Sequence, residues 1–336
     1  MDNIKKIGLT ALAGSMVALS ASAVEMSVSG STEMSYVSED ANYGDTTTAH
    51  TGSPYGMNTS LSFSGSGETD FGTLSLTRTI NDNLASSLSI FNKLDMGDAG
   101  VLSFDSKGGD LTGVSANDDL LPYAYEESWT HVGTGPVTGL SSNNVIGYAN
   151  TFGMVSVSGG FTRSNGQGGN GDQSNTGGGA GSVGGGADMY ITLKPNDMIS
   201  MGFGYANIDN KTGTANTEDT NQNVAQIKIT QGPISAGYLL AHQSGGTTQG
   251  YGSQEHEGYS VAFTVNDSLS VSYGRYDVTF DGDGNTGDVT ETSKGVGAAY
   301  TFGSATVKAS FNSVDDAAGT AGQKEDAVDI GLTFAF

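Results

Sequence analysis

The stretch DAVDIGLTFAF, Asp326 to Phe336, alternates to its last residue. Val328, Ile330, Leu332, Phe334 and Phe336 share one parity, while Asp329, Gly331, Thr333 and Ala335 occupy the other. A period of two with one apolar and one polar or small face is the pattern of a strand that meets oil on one side only. Soluble domains seldom finish on their most hydrophobic strand. A closed barrel does so naturally, because its last strand pairs with its first and no edge is left.

The matching strand lies near the other end of the sequence. Val24 to Val37 sets Val24, Met26, Val28, Met34 and Tyr36 against Glu25, Ser27, Ser29, Ser31, Glu33 and Ser35. The two stretches are expected to pair antiparallel, with Phe336 near Val24. Between them the alternation recurs in hairpins split by turn residues: Gly67 to Asp70, Asp95 to Ala99, Pro195 to Asp197, Gly232-Pro233, Asn266-Asp267 and Gly303-Ser304. Longer connections rich in Asp, Gly, Thr and Asn alternate with them. The count is sixteen strands in an all-β, antiparallel, up-and-down transmembrane barrel, or fourteen if the pair around Asn81-Asp82-Asn83 is lost.

Composition supports a membrane barrel and removes other classes. Met1 to Ala23 reads as a cleaved signal peptide, with Lys5 and Lys6, an apolar core and an Ala21-Ser22-Ala23 cleavage site, so residues 24–336 form the single barrel domain. No later stretch is apolar enough for a transmembrane helix, so the bilayer would be crossed by strands. The chain has 336 residues, 52 of them Gly, and no Cys, which leaves neither disulfides nor thiolate metal sites to hold it. Without the signal it carries 11 basic and 35 acidic side chains, a net charge of −24. That excludes nucleic acid as a partner and favours cations. Phe203, Tyr205, Tyr259, Phe263, Tyr273, Tyr300, Phe302, Phe311, Phe334 and Phe336 all fall on the apolar parity, as an interfacial girdle requires.

The opening VEMSVSGSTEMSY, the GSGETDFGTLSL and NNVIGYANTFGMVSVSGGFT hairpins and the TFAF ending together resemble Gram-negative general porins, most closely the α-proteobacterial type. The resemblance implies an outer-membrane homotrimer of sixteen-stranded barrels, each a diffusion channel for small hydrophilic solutes. Long loops would be extracellular and both mature termini periplasmic, with outer-membrane lipid around the barrel. It also implies that the terminal strand, with Phe334 and Phe336, is read by the barrel assembly machinery, and that the third outer loop folds inward to narrow the pore.

That loop corresponds to residues 105–143, where the alternation lapses. It carries Asp105, Asp110, Asp118, Asp119, Glu126 and Glu127 against Lys107, so a constriction built from it would favour cations. The family opposes the loop with several arginines. Here Arg78 and Arg275 fall on the apolar parity, and the lumen-parity bases are Lys93, Lys228 and Lys308. Asp281, Asp283 and Asn285 resemble the start of a calcium loop, but Thr286 and Thr292 stand where Gly and Glu are needed, so a loop-bound divalent cation there would be weak. No cofactor is expected. His50, His131, His242 and His256 form no catalytic motif, and the chain reads as a channel and not an enzyme. Two other readings remain: a structural or adhesive outer-membrane barrel, and a barrel hydrolase pairing His242 with one of the many serines.

Overall fold

The computed structural model describes residues 25–41, 53–81, 87–107, 113–114, 121–140, 144–162, 185–209, 219–245, 251–282 and 287–335. Residues 1–24, which include the stretch read as a signal peptide, lie outside them, as do Asp110, Asp118, Asp119, Asp283, Asn285 and Phe336. Sixteen strands occur among the described residues: β1 (Glu25–Ala41), β2 (Tyr55–Thr69), β3 (Gly72–Asn81), β4 (Ser87–Asp95), β5 (Val101–Lys107), β6 (Val145–Phe152), β7 (Val155–Thr162) and β8 (Gly186–Asn196), then β9 (Ile199–Ile208), β10 (Thr220–Gln231), β11 (Ile234–Ser244), β12 (Tyr251–Asn266), β13 (Leu269–Gly282), β14 (Val289–Phe302), β15 (Ala305–Asp315) and β16 (Lys324–Ala335). Each pairs with its sequence neighbours and β16 returns to β1, closing one antiparallel barrel. Closure satisfies the backbone of every strand without an exposed edge, which is the condition for crossing a bilayer with strands.

The count of sixteen holds because β3 and β4 pair directly, from Thr73 opposite Asp95 to Ile80 opposite Ser87; Asp82 and Asn83 lie outside the described residues. The register of the closing pair differs from the expected one. Ala335 pairs with Ser31, and residues 25–30 reach past it to pair with β2, Glu25 opposite Ser66 and Gly30 opposite Leu61. Strands must tilt and stagger for a sheet to close, so the two ends meet part-way along β1 and not end to end.

Most connections at one end of the barrel are two-residue turns such as Gly232-Pro233 and Gly303-Ser304, whose glycines take φ of 57° and 62°; the exception is residues 96–100 between β4 and β5. At the other end the connections run to five residues or more. Several strands extend further towards that end than the alternation indicates: β12 begins at Tyr251 and β14 at Val289, although residues 251–256 and 289–293 read as loop from sequence. Polar residues can continue a strand where one face meets water, so hydrophobic alternation alone truncates it.

The two faces separate as the parity predicts. Phe203, Tyr205, Tyr259, Phe263, Tyr273, Tyr300, Phe302, Phe311 and Phe334 are exposed on the outer wall. On the inner parity of β1 to β3, hydroxyls pair across strands: Ser31 with Ser60 at 3.0 Å, Ser62 with Thr79 at 2.8 Å and Ser64 with Thr77 at 3.1 Å. The inner face of β8 to β13 is different. Tyr190, Val224, Leu239, Tyr276, Val278 and Phe280 are buried there, in one cluster with Val114, Leu121 and Val137 of the β5–β6 connection.

Candidate functional site

These apolar inner positions exist because residues 113–114 and 121–140 lie against the lumen face of β8 to β16. The path is set by a row of inner-parity glycines. A Cβ on Gly237 would stand 2.6 Å from Pro122 Cδ and one on Gly204 2.8 Å from Val114 Cγ2. At Gly295 it would be 2.8 Å from Ser128 Cα, and at Gly331 3.0 Å from the Tyr125 hydroxyl. Glycine is thus required where the inner loop's side chains and backbone approach the wall. Gly274→Val tests this: its Cβ would meet Tyr123 Cζ at 2.5 Å, and thermal unfolding in detergent is expected to show a loss of about 1–3 kcal/mol from overpacking.

Polar groups on the wall receive the loop's backbone. Asp188 on β8 accepts from Val114 N at 3.0 Å and Leu140 N at 3.4 Å through Oδ2, and from Gly160 N at 3.1 Å through Oδ1. It therefore holds both limbs of the loop. Gln222 Oε1 accepts from Gly139 N at 2.8 Å, and Ser272 Oγ accepts from Ala124 N at 2.9 Å. Glu291, wholly buried on β14, accepts from Thr134 N at 2.5 Å, from the Thr134 hydroxyl at 3.1 Å and from Ala318 N at 2.6 Å. Asn312 Nδ2 donates to the carbonyls of Glu127 at 2.8 Å and Thr130 at 3.1 Å. Buried polar groups without partners are costly, so each bond fixes loop position as well as holding it.

At the loop's tip the side chains pack and then converge on charge. The Trp129 ring sits 4.6 Å from that of Tyr276 and edge-on to Tyr123 at 5.8 Å. The Tyr125 hydroxyl donates towards Glu33 Oε1 at 3.3 Å and Asp329 Oδ1 at 3.2 Å. Burial, with Asp329, Glu126 and Glu33 nearby, pushes the Tyr125 phenol well above its ordinary pKa, so it stays neutral and keeps its donor proton. Half-buried Glu126 is raised too, first by burial and then by Glu127 and Asp329. His131 reaches Asp329 at 3.0 Å and Glu39 at 3.5 Å. The carboxylates gathered here are Glu33 and Glu39 from β1, Asp329 from β16, and Glu126 and Glu127 from the loop.

The residues singled out by sequence are distributed as follows. Glu126 and Glu127 stand at this tip. Asp105 lies in β5 and not in the loop: it is buried on the inner parity, opposite Val145 and Phe91, because Leu102 and Phe104 keep the alternation running outward past the expected strand end. Lys93, Lys228 and Lys308 occupy inner parity; Lys308 stands 5.0 Å over the Tyr125 ring, on the loop's side of the lumen. Arg78 and Arg275 face outward, as their parity indicates. Asp281 is paired within β13, its side chain accepting from Ser253 Oγ. His242 lies on the outer parity of β11 opposite Glu255, away from the lumen serines. Sequence reading missed Asp188, Glu291, His131 and the glycine row. The available signal was glycine and large apolar residues on the otherwise polar parity of β9 to β16, which marks a wall covered by chain instead of water.

No protein-family model matches the sequence, and no curated protein sequence matches it. Solved structures do match the fold. A porin refined at 1.8 Å resolution superposes with a TM-score of 0.65 at 18% identity, covering 93% of this chain and 100% of that one. The anion-selective porin from Comamonas acidovorans superposes with a TM-score of 0.65 at 16% identity, covering 93% and 100%. OmpF from Salmonella typhi, in a complex with daunomycin, superposes with a TM-score of 0.64 at 14% identity, covering 93% and 97%. The chain therefore has the sixteen-stranded porin fold.

Proposed function

We propose that this chain is an outer-membrane diffusion channel for small hydrophilic solutes, narrowed by the loop that includes residues 121–140 and selective for cations. The observation that carries the proposal is the convergence of Glu33, Glu39, Glu126, Glu127 and Asp329 at the loop's tip, with His131 and Lys308 as the nearby bases. Low-dielectric walls strengthen the field of such groups on a passing ion. The fold itself does not set the sign of selectivity, since an anion-selective porin shares it; the side chains at the tip do. In this reading the short turns are periplasmic, as are the start of β1 and the end of β16, and Phe334 belongs to the strand presented to the assembly machinery.

Homotrimerisation fits the outer wall of β1 to β4. Arg78 projects from it between Phe63 and Ile90 on neighbouring strands. An outward-facing Arg costs from about 0–1 kcal/mol near the bilayer interfaces to about 2–4 kcal/mol at the midplane, a cost that a subunit contact over this wall would reduce. The channel reading is tested by reconstitution in a planar bilayer under a KCl gradient. The expected reversal potential lies towards that of K⁺. Reversal towards Cl⁻ would remove the cation preference, and absence of conductance would remove the channel.

A further inference from the structure

Among the contacts that tie the inner loop to the wall, one is made by an imidazole, His131, that faces two carboxylates. His131 closes a tight turn in which Thr130 N bonds Glu127 O at 3.0 Å and Gly133 N bonds Trp129 O at 2.8 Å. Its backbone is left-handed, with φ of 70°, a conformation that non-glycine residues adopt only when surroundings hold them there. The surroundings are the seam between the first and last strands. Nε2 faces Asp329 Oδ2 of β16 at 3.0 Å and Nδ1 faces Glu39 Oε1 of β1 at 3.5 Å.

A neutral imidazole has one N–H and one lone pair, whereas the imidazolium has two N–H groups. Both ring nitrogens face carboxylate oxygens, so only the protonated ring can donate to both strands at once. After deprotonation one lone pair confronts a carboxylate. The remaining groups around the ring do not offset this. Glu33 on β1 and Glu126 and Glu127 on the loop are acidic, and Tyr125 is a neutral donor committed to Glu33 and Asp329. Lys308 on β15 sits over the Tyr125 ring. The residues packed beside it at Val132, namely Val314, Ala317 and Ala327, are apolar.

We propose that His131 is a proton-operated latch that fastens the tip of the inner loop to the β1–β16 seam and sets the charge of the carboxylate cluster there. The latched state binds one more proton than the released state, so by linkage a rise in pH favours release. Release has two effects. The loop's edge at Tyr125 and His131 loosens while the bonds from Asp188, Gln222, Glu291 and Asn312 keep the rest in place, and Glu39 and Asp329 lose their cationic partner.

The electrical part of the test rests on the channel reading, so a structural measurement accompanies it. Wild type, His131→Gln and His131→Lys are recorded in planar bilayers between pH 5.5 and 8. In wild type the K⁺ to Cl⁻ permeability ratio is expected to rise about two-fold over this range, the size expected of one unit charge acting across about 8 Å of water. His131→Gln is expected to stay near the wild-type value at high pH, and His131→Lys near the wild-type value at low pH. In parallel, hydrogen exchange of residues 121–140 in detergent micelles, corrected for intrinsic rates, is expected to show protection that falls from pH 6 to 8 in wild type only. Identical pH profiles in wild type and His131→Gln, by either measurement, would overturn the latch. If no variant conducts, the channel reading fails and hydrogen exchange alone decides the latch.

Discussion

Replacing Asp188 by alanine is expected to be the most destabilising single change in the lumen, with a loss of about 3 kcal/mol from three buried backbone donors left without an acceptor. The carboxylate serves Val114, Leu140 and Gly160 from two oxygens. Val114 and Leu140 stand at opposite ends of the described inner loop, so the two limbs lose their common anchor together. Asp188→Asn is expected to fall between wild type and alanine. One orientation of the amide keeps the Oδ2 pair and loses Gly160, and the other does the reverse. Thermal unfolding in detergent gives the stability order, and single-channel conductance should increase in the same order as the loop moves off its seat. A stable Asp188→Ala barrel with unchanged conductance would show that packing around Tyr190 and Val137 suffices to hold the loop.

The second large effect is expected on selectivity. The double substitution Glu126→Gln and Glu127→Gln removes two loop carboxylates while retaining their size and hydrogen-bonding capacity. For two unit charges acting on an ion across about 5–8 Å of salt solution, the K⁺ to Cl⁻ permeability ratio is expected to fall about ten-fold. Acidification of the wild type should act in the same direction. Burial and the neighbouring Glu127 and Asp329 raise the Glu126 pKa, so this carboxyl takes up its proton at a higher pH than an ordinary glutamate. The folded chain binds that proton more tightly than the unfolded chain does. Lowering the pH through this range therefore favours the folded loop at Glu126 while weakening the field felt by cations. In a His131→Gln background, reversal potentials from pH 7 to 4 should show selectivity beginning to decline at a higher pH than when Glu126 is also replaced by Gln.

The residues explain which of these features could be read without a structure. Strand number, order and the alternation of short turns with long connections follow from local patterns: Met26 and Val28 against Ser27 and Ser29, or Leu332 and Phe334 against Gly331 and Thr333. Parity also placed Lys93, Lys228 and Lys308 inward and Arg78 and Arg275 outward, because a period of two admits only two faces. Asp105 was misplaced because a carboxylate on the inner parity continues a strand that a hydrophobicity pattern ends. The charged strand extensions of β12 and β14 were hidden for the same reason.

By itself the sequence determined the barrel, since an unbroken period of two over sixteen segments needs no long-range information beyond the requirement that no edge remain. Only the tertiary structure decided where Ala335 meets β1, at Ser31, because stagger is a property of closing the whole sheet and not of any strand. It also decided which inner wall is wet and which is covered. Tyr276, Leu239 and Gly274 face inward like Ser60 and Thr77, yet they are buried because the β5–β6 connection crosses the lumen to reach them. His131 finds Glu39 and Asp329 across 92 and 198 positions of chain. Such meetings depend on the path of a loop through a closed space, which no local periodicity encodes.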